Sequence, residues 1–514
     1  MNNRAEVTWS IMHPVKPEAD YMREVIAHAA KYHVDSFEIC GDVHASTGSI
    51  DGAILFRDYP AAAVGIDAAA VTETIGRLRE VVALAHGSGR SVYYWHREVM
   101  VPRAIVAAIP GLIDANGEFD LLGDAYQQLV RSKIREFFEN VPEMDGLVLT
   151  LTESDYSVIH NSDPARYPPA QVVRQVVETF AVELQARGKR FVLRSFGSIA
   201  QDYEDILAGA ALVSPAYPFE VETKITPYDF SPFLRFNPWL RRIGASTVSA
   251  EYDSIGEFLG AGYLPAPDPA RVIDSVRYAQ AQGVSRHVIR VDRIGHPTFA
   301  STQAINLLAF DRAIRDETVT AEDIWREWAA AEWPGCASEM TALMRQGIDL
   351  VKKTHFIDGH VIFHAFPIQP ELKWIKACGI LGVFRPGRSL AAQQGMWGID
   401  PERTTPSRDA ILREKDEAVA LADAGLQQLG ALRDRLSDAE FQRAETVWRN
   451  ATVVTRAIRH WCRAVCAYFE GIESDDPVGA GLAAATVGAA RELAPSLSDD
   501  AARGVFATSV EHEY

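Results

Sequence analysis

At 514 residues, with 47% hydrophobic and 23% charged residues, the chain has the composition of a globular protein too long for one core, so one large and one smaller domain are expected. The formal net charge of -18 argues against nucleic-acid binding and against an anionic membrane surface, because both recruit basic patches. No apolar run reaches the roughly 18 residues of a spanning helix, and the first residues lead into a strand and not a signal segment, so no membrane partner and a cytoplasmic location are expected. The five cysteines, Cys40, Cys336, Cys378, Cys462 and Cys466, are odd in number and scattered, which suits free thiols in a reducing compartment.

Taken in order, short β-rich runs alternate with longer helical patterns, the signature of a parallel sheet built from βα units. The predicted strands are Glu6 to Met12, Ser36 to Cys40, Ser91 to Glu98, the Gly146 run, Arg190 to Ser195, Ala211 to Ser214, Thr247 to Glu251 and His287 to Asp292. Helices are predicted at Glu18 to Lys31, Ala70 to Ala85, Leu122 to Glu139 and Pro169 to Arg187. Eight such units within residues 1–320 fit an α/β fold of the (β/α)8 TIM barrel type with enlarged loops. A doubly wound sheet is the competitor, but no G-x-G-x-x-G follows the first strand and no G-x-x-x-x-G-K-[ST] occurs, so nucleotide binding has no local support and no cofactor is expected.

From Thr320 the pattern changes, and residues 321–514 read as an all-α C-terminal domain. Helices are expected at Glu322 to Ala331, Glu339 to Lys352, Ser407 to Leu436, Asp438 to Glu470 and Gly479 to Leu493. Thr320 with Asp323 three residues on is a capping box. A Gly-, Pro- and aromatic-rich segment, 356–406, runs between these helices and is expected near the barrel mouth, offering Trp374, Gln393 and Trp397 to a ligand. The helical domain could pair two subunits into a homodimer or pack on the barrel; the sequence allows both.

The stretch Asp145-Gly146-Leu147-Val148-Leu149-Thr150-Leu151-Thr152-Glu153-Ser154-Asp155 is an apolar run ending in carboxylates, as a strand buried on both faces would be. Glu153 then lies at the C-terminal end of a barrel strand, the face on which such enzymes build their sites. Other strand ends gather polar groups too: His13; Asp42 and His44; Trp95, His96, Arg97 and Glu98; Asp155; Arg194; Glu251 and Asp253; Arg290, Asp292 and Arg293; with Lys224 and Asp229 in a loop after the sixth strand. Carboxylates, cations and tryptophan together suit a small carbohydrate, whose hydroxyls take charged partners and whose apolar face stacks on a ring. Two chemistries fit: glycoside hydrolysis by a carboxyl pair, or metal-assisted isomerisation or hydrolysis through Glu153, Asp229, Glu251 and a histidine. No H-x-H or D-x-D pair supports a metal, so none is expected. A carbohydrate-binding protein without catalysis is the third reading.

Several of these segments resemble the α-glucuronidases of glycoside hydrolase family 67. The run Gly146 to Ser154 is similar to that family's acid-bearing strand, and Lys224-Ile225-Thr226-Pro227-Tyr228-Asp229-Phe230 is similar to its K-Y-G-P-x-D-F motif. Ser249-Ala250-Glu251-Tyr252-Asp253 resembles its Q-E-Y-x-G segment, Leu193-Arg194-Ser195-Phe196 its W-R-A-F strand, and Trp325-Arg326-Glu327-Trp328 the helix after its barrel. The resemblance implies an inverting hydrolase with Glu153 as general acid, and Asp229 with Glu251 positioning and deprotonating the attacking water. It also implies that Arg194 helps bind a uronate. Trp95, His96, Lys224, His13, Asp155, Arg290 and Trp397 are the further expected substrate contacts. The sequence departs from the family in having no lysine in Leu149-Thr150-Leu151-Thr152, and in starting its first strand at Glu6, where the family has a sandwich-type domain before the barrel.

Overall fold

The computed structural model describes residues 5–12, 18–40, 49–60, 65–152, 154, 156–159, 163–197, 200–227, 230–242, 248–293, 296–361 and 404–473. Alternating residues on each strand are claimed by two environments, the barrel interior and the surrounding helices. The strands are β1 (Glu6–Ile11), β2 (Ser36–Ile39), β3 (Ser91–Arg97), β4 (Gly146–Thr150), β5 (Arg190–Arg194), β6 (Glu220–Lys224), β7 (Val248–Asp253) and β8 (Arg286–Arg290). They form one closed barrel in the order β1 to β8. Closure is parallel, with Glu6 opposite Arg286 and Ser10 opposite Arg290. Asp292 ties the seam further, accepting from the Met12 amide at 2.6 Å and the Tyr21 hydroxyl at 2.8 Å.

The helices between strands are α1 (Ala19–Ala29), α2 (Ala68–Gly87), α3 (Arg103–Ala108), α4 (Asp124–Asn140), α5 (Pro169–Gln185), α6 (Ala200–Ala211) and α7 (Pro269–Ala281), with α8 (Ala304–Arg315) after β8. Pro at the first position of α5 costs nothing there, because that amide has no helical partner. The outward strand residues meet this layer: Tyr94 stacks on Phe137 of α4 at 5.7 Å, and Phe191 on Phe180 of α5 at 5.9 Å.

One strand lies elsewhere than its sequence suggests. Residues 211–214, expected as the sixth strand, instead finish α6 and its exit turn, where the Leu212 and Val213 amides bond back to Gly209 and Ala210. Alanine-rich Ala208-Gly209-Ala210-Ala211 favours helix over strand. The true β6, Glu220-Val221-Glu222-Thr223-Lys224, is charged at alternate positions and so does not read as a buried run.

Two compact units are drawn from the chain. The first comprises Met1–Ile225, Asn237–Tyr252 and Tyr278–Gly295; the second comprises Thr226–Phe236, Asp253–Arg277 and His296–Tyr514. The second unit therefore takes in the loops that leave β6 and β7 together with the helices α9 (Ala321–Glu332), α10 (Ala337–His355), α11 (Arg408–Ala431) and α12 (Asp438–Glu473). The capping box is present: Thr320 Oγ1 accepts from the Asp323 amide at 3.2 Å, and the Asp323 carboxylate accepts from the Thr320 amide at 3.1 Å. Trp328 meets Trp325 and Trp333 edge-on, at 5.9 and 4.6 Å between centroids. A Cβ on Gly425 of α11 would fall 2.0 Å from the ring of Trp448 on α12, so only glycine lets these helices approach so closely. The loop after β7 is held by α10 and α12: His355 Nδ1 lies 3.2 Å from the Phe258 carbonyl, and Asn450 Nδ2 donates to the Tyr263 carbonyl at 3.2 Å. The expected helix 479–493, and Trp374, Gln393 and Trp397 of the 356–406 segment, lie outside the described residues. No described helix is long and apolar enough to cross a membrane.

Candidate active site

A TIM barrel usually fills its interior with Val, Ile and Leu. Here Met12, Cys40, Tyr93, Trp95, Val148 and Val192 form an apolar cluster, and charged side chains with Thr8, Ser36 and Ser249 take other inward positions. Low on the barrel, Arg190 spans Glu6 and Glu220 at 2.7 and 2.5 Å. In the middle, Arg286 donates to Glu38 at 2.5 Å, and Glu38 also accepts from the Trp95 indole at 3.1 Å.

At the C-terminal ends four successive strands converge on one carboxylate. Glu251 of β7, fully buried, accepts from Arg194 Nε of β5 at 2.9 Å and from Arg290 Nε of β8 at 2.5 Å; Arg194 Nη2 bonds the same Oε2. Lys224 of β6 is opposite Glu251 in register. Burial alone would raise the Glu251 pKa, but the charges of Arg194, Arg290 and Lys224 outweigh it and hold the carboxyl down at about 2. Such a group is a clamp for cations and a weak base. The guanidinium of Arg194 lies over the Trp95 ring at 4.6 Å, and the Lys224 ammonium lies 3.9 Å from the centroid of Phe196. Asn237 fixes the end of β6 by donating to the Lys224 carbonyl at 2.9 Å and to Thr223 Oγ1 at 3.1 Å.

The structure thus brings together Arg194, Lys224, Glu251, Arg290 and Trp95 of the sequence-predicted residues. Lys224 ends β6 itself and is not in a loop beyond it. Trp95 is 2% exposed between Glu38 and Arg194, and so packs the interior. His96 goes the other way: its ring faces Phe180 of α5 at 5.4 Å, and Nε2 lies 2.5 Å from Glu98 Oε2 on the outer side of the barrel. The period of two along β3 puts Trp95 and His96 on opposite faces, so only one of them belongs to the interior. Lys133 of α4 completes that outer cluster, 3.2 Å from Glu98 and 2.9 Å from Asp51. Burial lowers the His96 pKa, which favours its neutral form, whereas Lys133 and His96 hold Glu98 ionised against burial. His13, Glu153, Asp155, Asp229 and Trp397 lie outside the described residues, as do Asp42 and His44. Glu153 follows the end of β4 by three residues, and Asp229 the end of β6 by five.

Sequence reading missed Glu38, Glu222 and Arg286. Each sits at an inward position of its strand, and the available signal was charge at every second residue, as in Glu220, Glu222 and Lys224. Among the described residues no group of three His, Cys, Asp or Glu is arranged to hold a metal ion.

No protein-family model matches the chain, and no curated protein matches it in sequence. Among solved structures it is similar to a GH138 enzyme targeting pectin rhamnogalacturonan II, with a TM-score of 0.61 and 11% identity. That match covers 97% of this chain and 63% of the other, so the chain spans less than two thirds of that enzyme's length. At that identity the likeness is one of fold, a (β/α)8 barrel followed by helices. A GH115 4-O-methyl-alpha-glucuronidase with specificity for decorated arabinogalactans is also similar, with a TM-score of 0.49 and 12% identity over 97% of this chain and 60% of that one. A GH20 exo-beta-N-acetylglucosaminidase from Vibrio harveyi gives 0.39 and 11% identity over 67% and 58%. None of these solved structures is described as a family 67 enzyme.

Proposed function

We propose that the protein is a glycoside hydrolase that cleaves an α-linked sugar, an α-glucuronide or a related α-glycoside, with inversion at the anomeric carbon. The observation that carries this reading is the excess of cations around Glu251: Arg194, Lys224 and Arg290 meet one carboxylate at the end of the barrel where such folds build their sites. A sugar bearing a carboxylate supplies the missing negative charge, and arginine binds it in bidentate fashion.

In this mechanism Glu153 is the general acid that protonates the leaving oxygen. Asp229 is the base that takes a proton from water as the water attacks the opposite face of the anomeric carbon. Inversion calls for the two carboxyls to stand roughly 6.5 to 9.5 Å apart with that water between them. Glu251, held at about 2, positions Arg194 and Arg290 and takes no proton near neutral pH. Buried Cys40, Cys336 and Cys462, free thiols among the described residues, fit action in a reducing cytoplasm.

The test is hydrolysis of aryl α-glycosides, uronate and neutral, with proton NMR reading the first anomer released. The expected result is turnover of the α-uronide with inverted product, reduced about 1,000-fold or more in Glu153→Gln and Asp229→Asn. A retained anomer overturns inversion. Activity abolished by a chelator and restored by a divalent metal overturns the carboxyl-pair mechanism in favour of a metal-dependent sugar enzyme.

A further inference from the structure

Arg194 stands between two carboxyl groups. Its Nε lies 2.9 Å from Glu251 Oε2 and 3.6 Å from Glu222 Oε1, although Glu222, not Glu251, is its register partner. Glu222 is fully buried on β6, and neither of its oxygens has a hydrogen-bond partner among the described residues. It is faced by Glu38 of β2, Arg194 of β5, Glu251 and Ser249 of β7, and Arg286 of β8 at 3.5 Å, with Glu220 and Lys224 on its own strand. Arg286 gives its closest contact to Glu38, as Arg194 does to Glu251, so both guanidiniums that could neutralise Glu222 are engaged elsewhere.

We propose that Glu222 is held as a neutral acid and is thereby a positioning residue, leaving Arg194 committed to Glu251 and the cations at the strand ends arrayed for the anionic group of the substrate. This rests on the glycosidase reading for the substrate, but not for the proton. Once ionised, Glu222 would compete for Arg194 in a medium where a nearby charge acts strongly, and Arg194 would be drawn down the barrel away from Glu251. Burial first, then the charges of Glu38 and Glu251, push the Glu222 carboxyl well above the usual range, in the direction the geometry requires.

The first measurement is infrared absorption of the wild-type protein near neutral pH. The carbonyl band of a protonated carboxylic acid is expected, surviving in E153Q, absent in E222Q and fading as pH is raised. The second is thermal melting. The unfolded chain releases the Glu222 proton at lower pH than the folded one, so wild-type stability falls as pH rises above the ordinary carboxylate range. E222Q is therefore expected to melt higher than wild type at neutral pH, with the gap closing in acid. In turnover, the KM of wild type is expected to rise at alkaline pH, and that rise is expected to be absent in E222Q. Absence of the band, or an E222Q that melts lower than wild type at neutral pH, overturns the proposal. Should E222Q not fold, the wild-type band recorded beside E153Q decides alone. If no glycoside is turned over, the functional reading fails while the band and the melting shift still decide the state of Glu222.

Discussion

Inside the barrel Glu38, Glu222, Glu251, Arg194, Arg286 and Arg290 are all less than 5% exposed, whereas at the same depth in the helical unit stand Trp448, Trp461, Leu343, Met344 and Ile458. Both interiors are buried, but one is closed by ion pairs and the other by hydrocarbon. Buried ion pairs add little net stability over well-packed apolar side chains, because desolvation offsets their attraction. The charged layer is thus poorly explained as a device for stability. It is well explained as a scaffold that fixes three cations at one end of a barrel, while the helical unit supplies ordinary packing for the loops leaving β6 and β7.

The contrast can be broken at one residue. Glu251→Ala leaves Arg194 and Arg290 buried beside an absent partner, and is expected to cost about 3–5 kcal/mol in denaturant unfolding, besides abolishing turnover. A loss below 1 kcal/mol would mean that water reaches the pair and that the interior is not dry.

Acid sharpens the same contrast. The folded pKa of Glu251, about 2, lies below that of an unfolded glutamate, so its stabilisation is complete above the ordinary carboxylate range and is lost as pH falls through that range toward 2. The expected loss is on the order of 3 kcal/mol for this group. Near-ultraviolet circular dichroism should show the barrel tryptophan environment changing while helical far-ultraviolet signal persists. Simultaneous loss of both signals would argue that the two interiors respond to protons alike.

The smallest of these effects probes the hydrocarbon side. Gly425→Ala sets a methyl group against the Trp448 ring, and overpacking of this kind costs about 1–3 kcal/mol. Its unfolding free energy should not vary with pH relative to wild type, since no titrating group is disturbed. A pH-dependent penalty would tie the helical packing to the charged layer.

Much of the architecture was legible because its signals are local. The apolar β4 run, the Pro-led α5 and the Thr320 capping box each declare themselves within a few residues, and all appear. The sixth strand was misread for a physical reason: its inward side chains are charged, so period-two burial did not show as hydrophobicity. The same feature hid Glu38, Glu222 and Arg286. Strand-end position did pick out Arg194, Glu251 and Arg290, whose mutual contacts depend on register across three strands and so cannot be read from any one of them. His96 shows the converse. It stands beside Trp95 in sequence, yet one step along a strand reverses the face, and the cluster it joins through Glu98 is completed by Lys133 and Asp51 from two distant segments.

The seam at Asp292 bears on how the molecule is made. β1 finds its second neighbour only when β8 arrives, and the Met12 amide waits for a carboxylate 280 positions later. At a translation rate of roughly 5–20 residues per second, the nascent polypeptide carries an open, apolar β1 edge for tens of seconds. During that interval ribosome-bound chains are vulnerable to strand addition from one another, which makes chaperone cover and a low number of chains in synthesis at once conditions that should raise the yield of native protein.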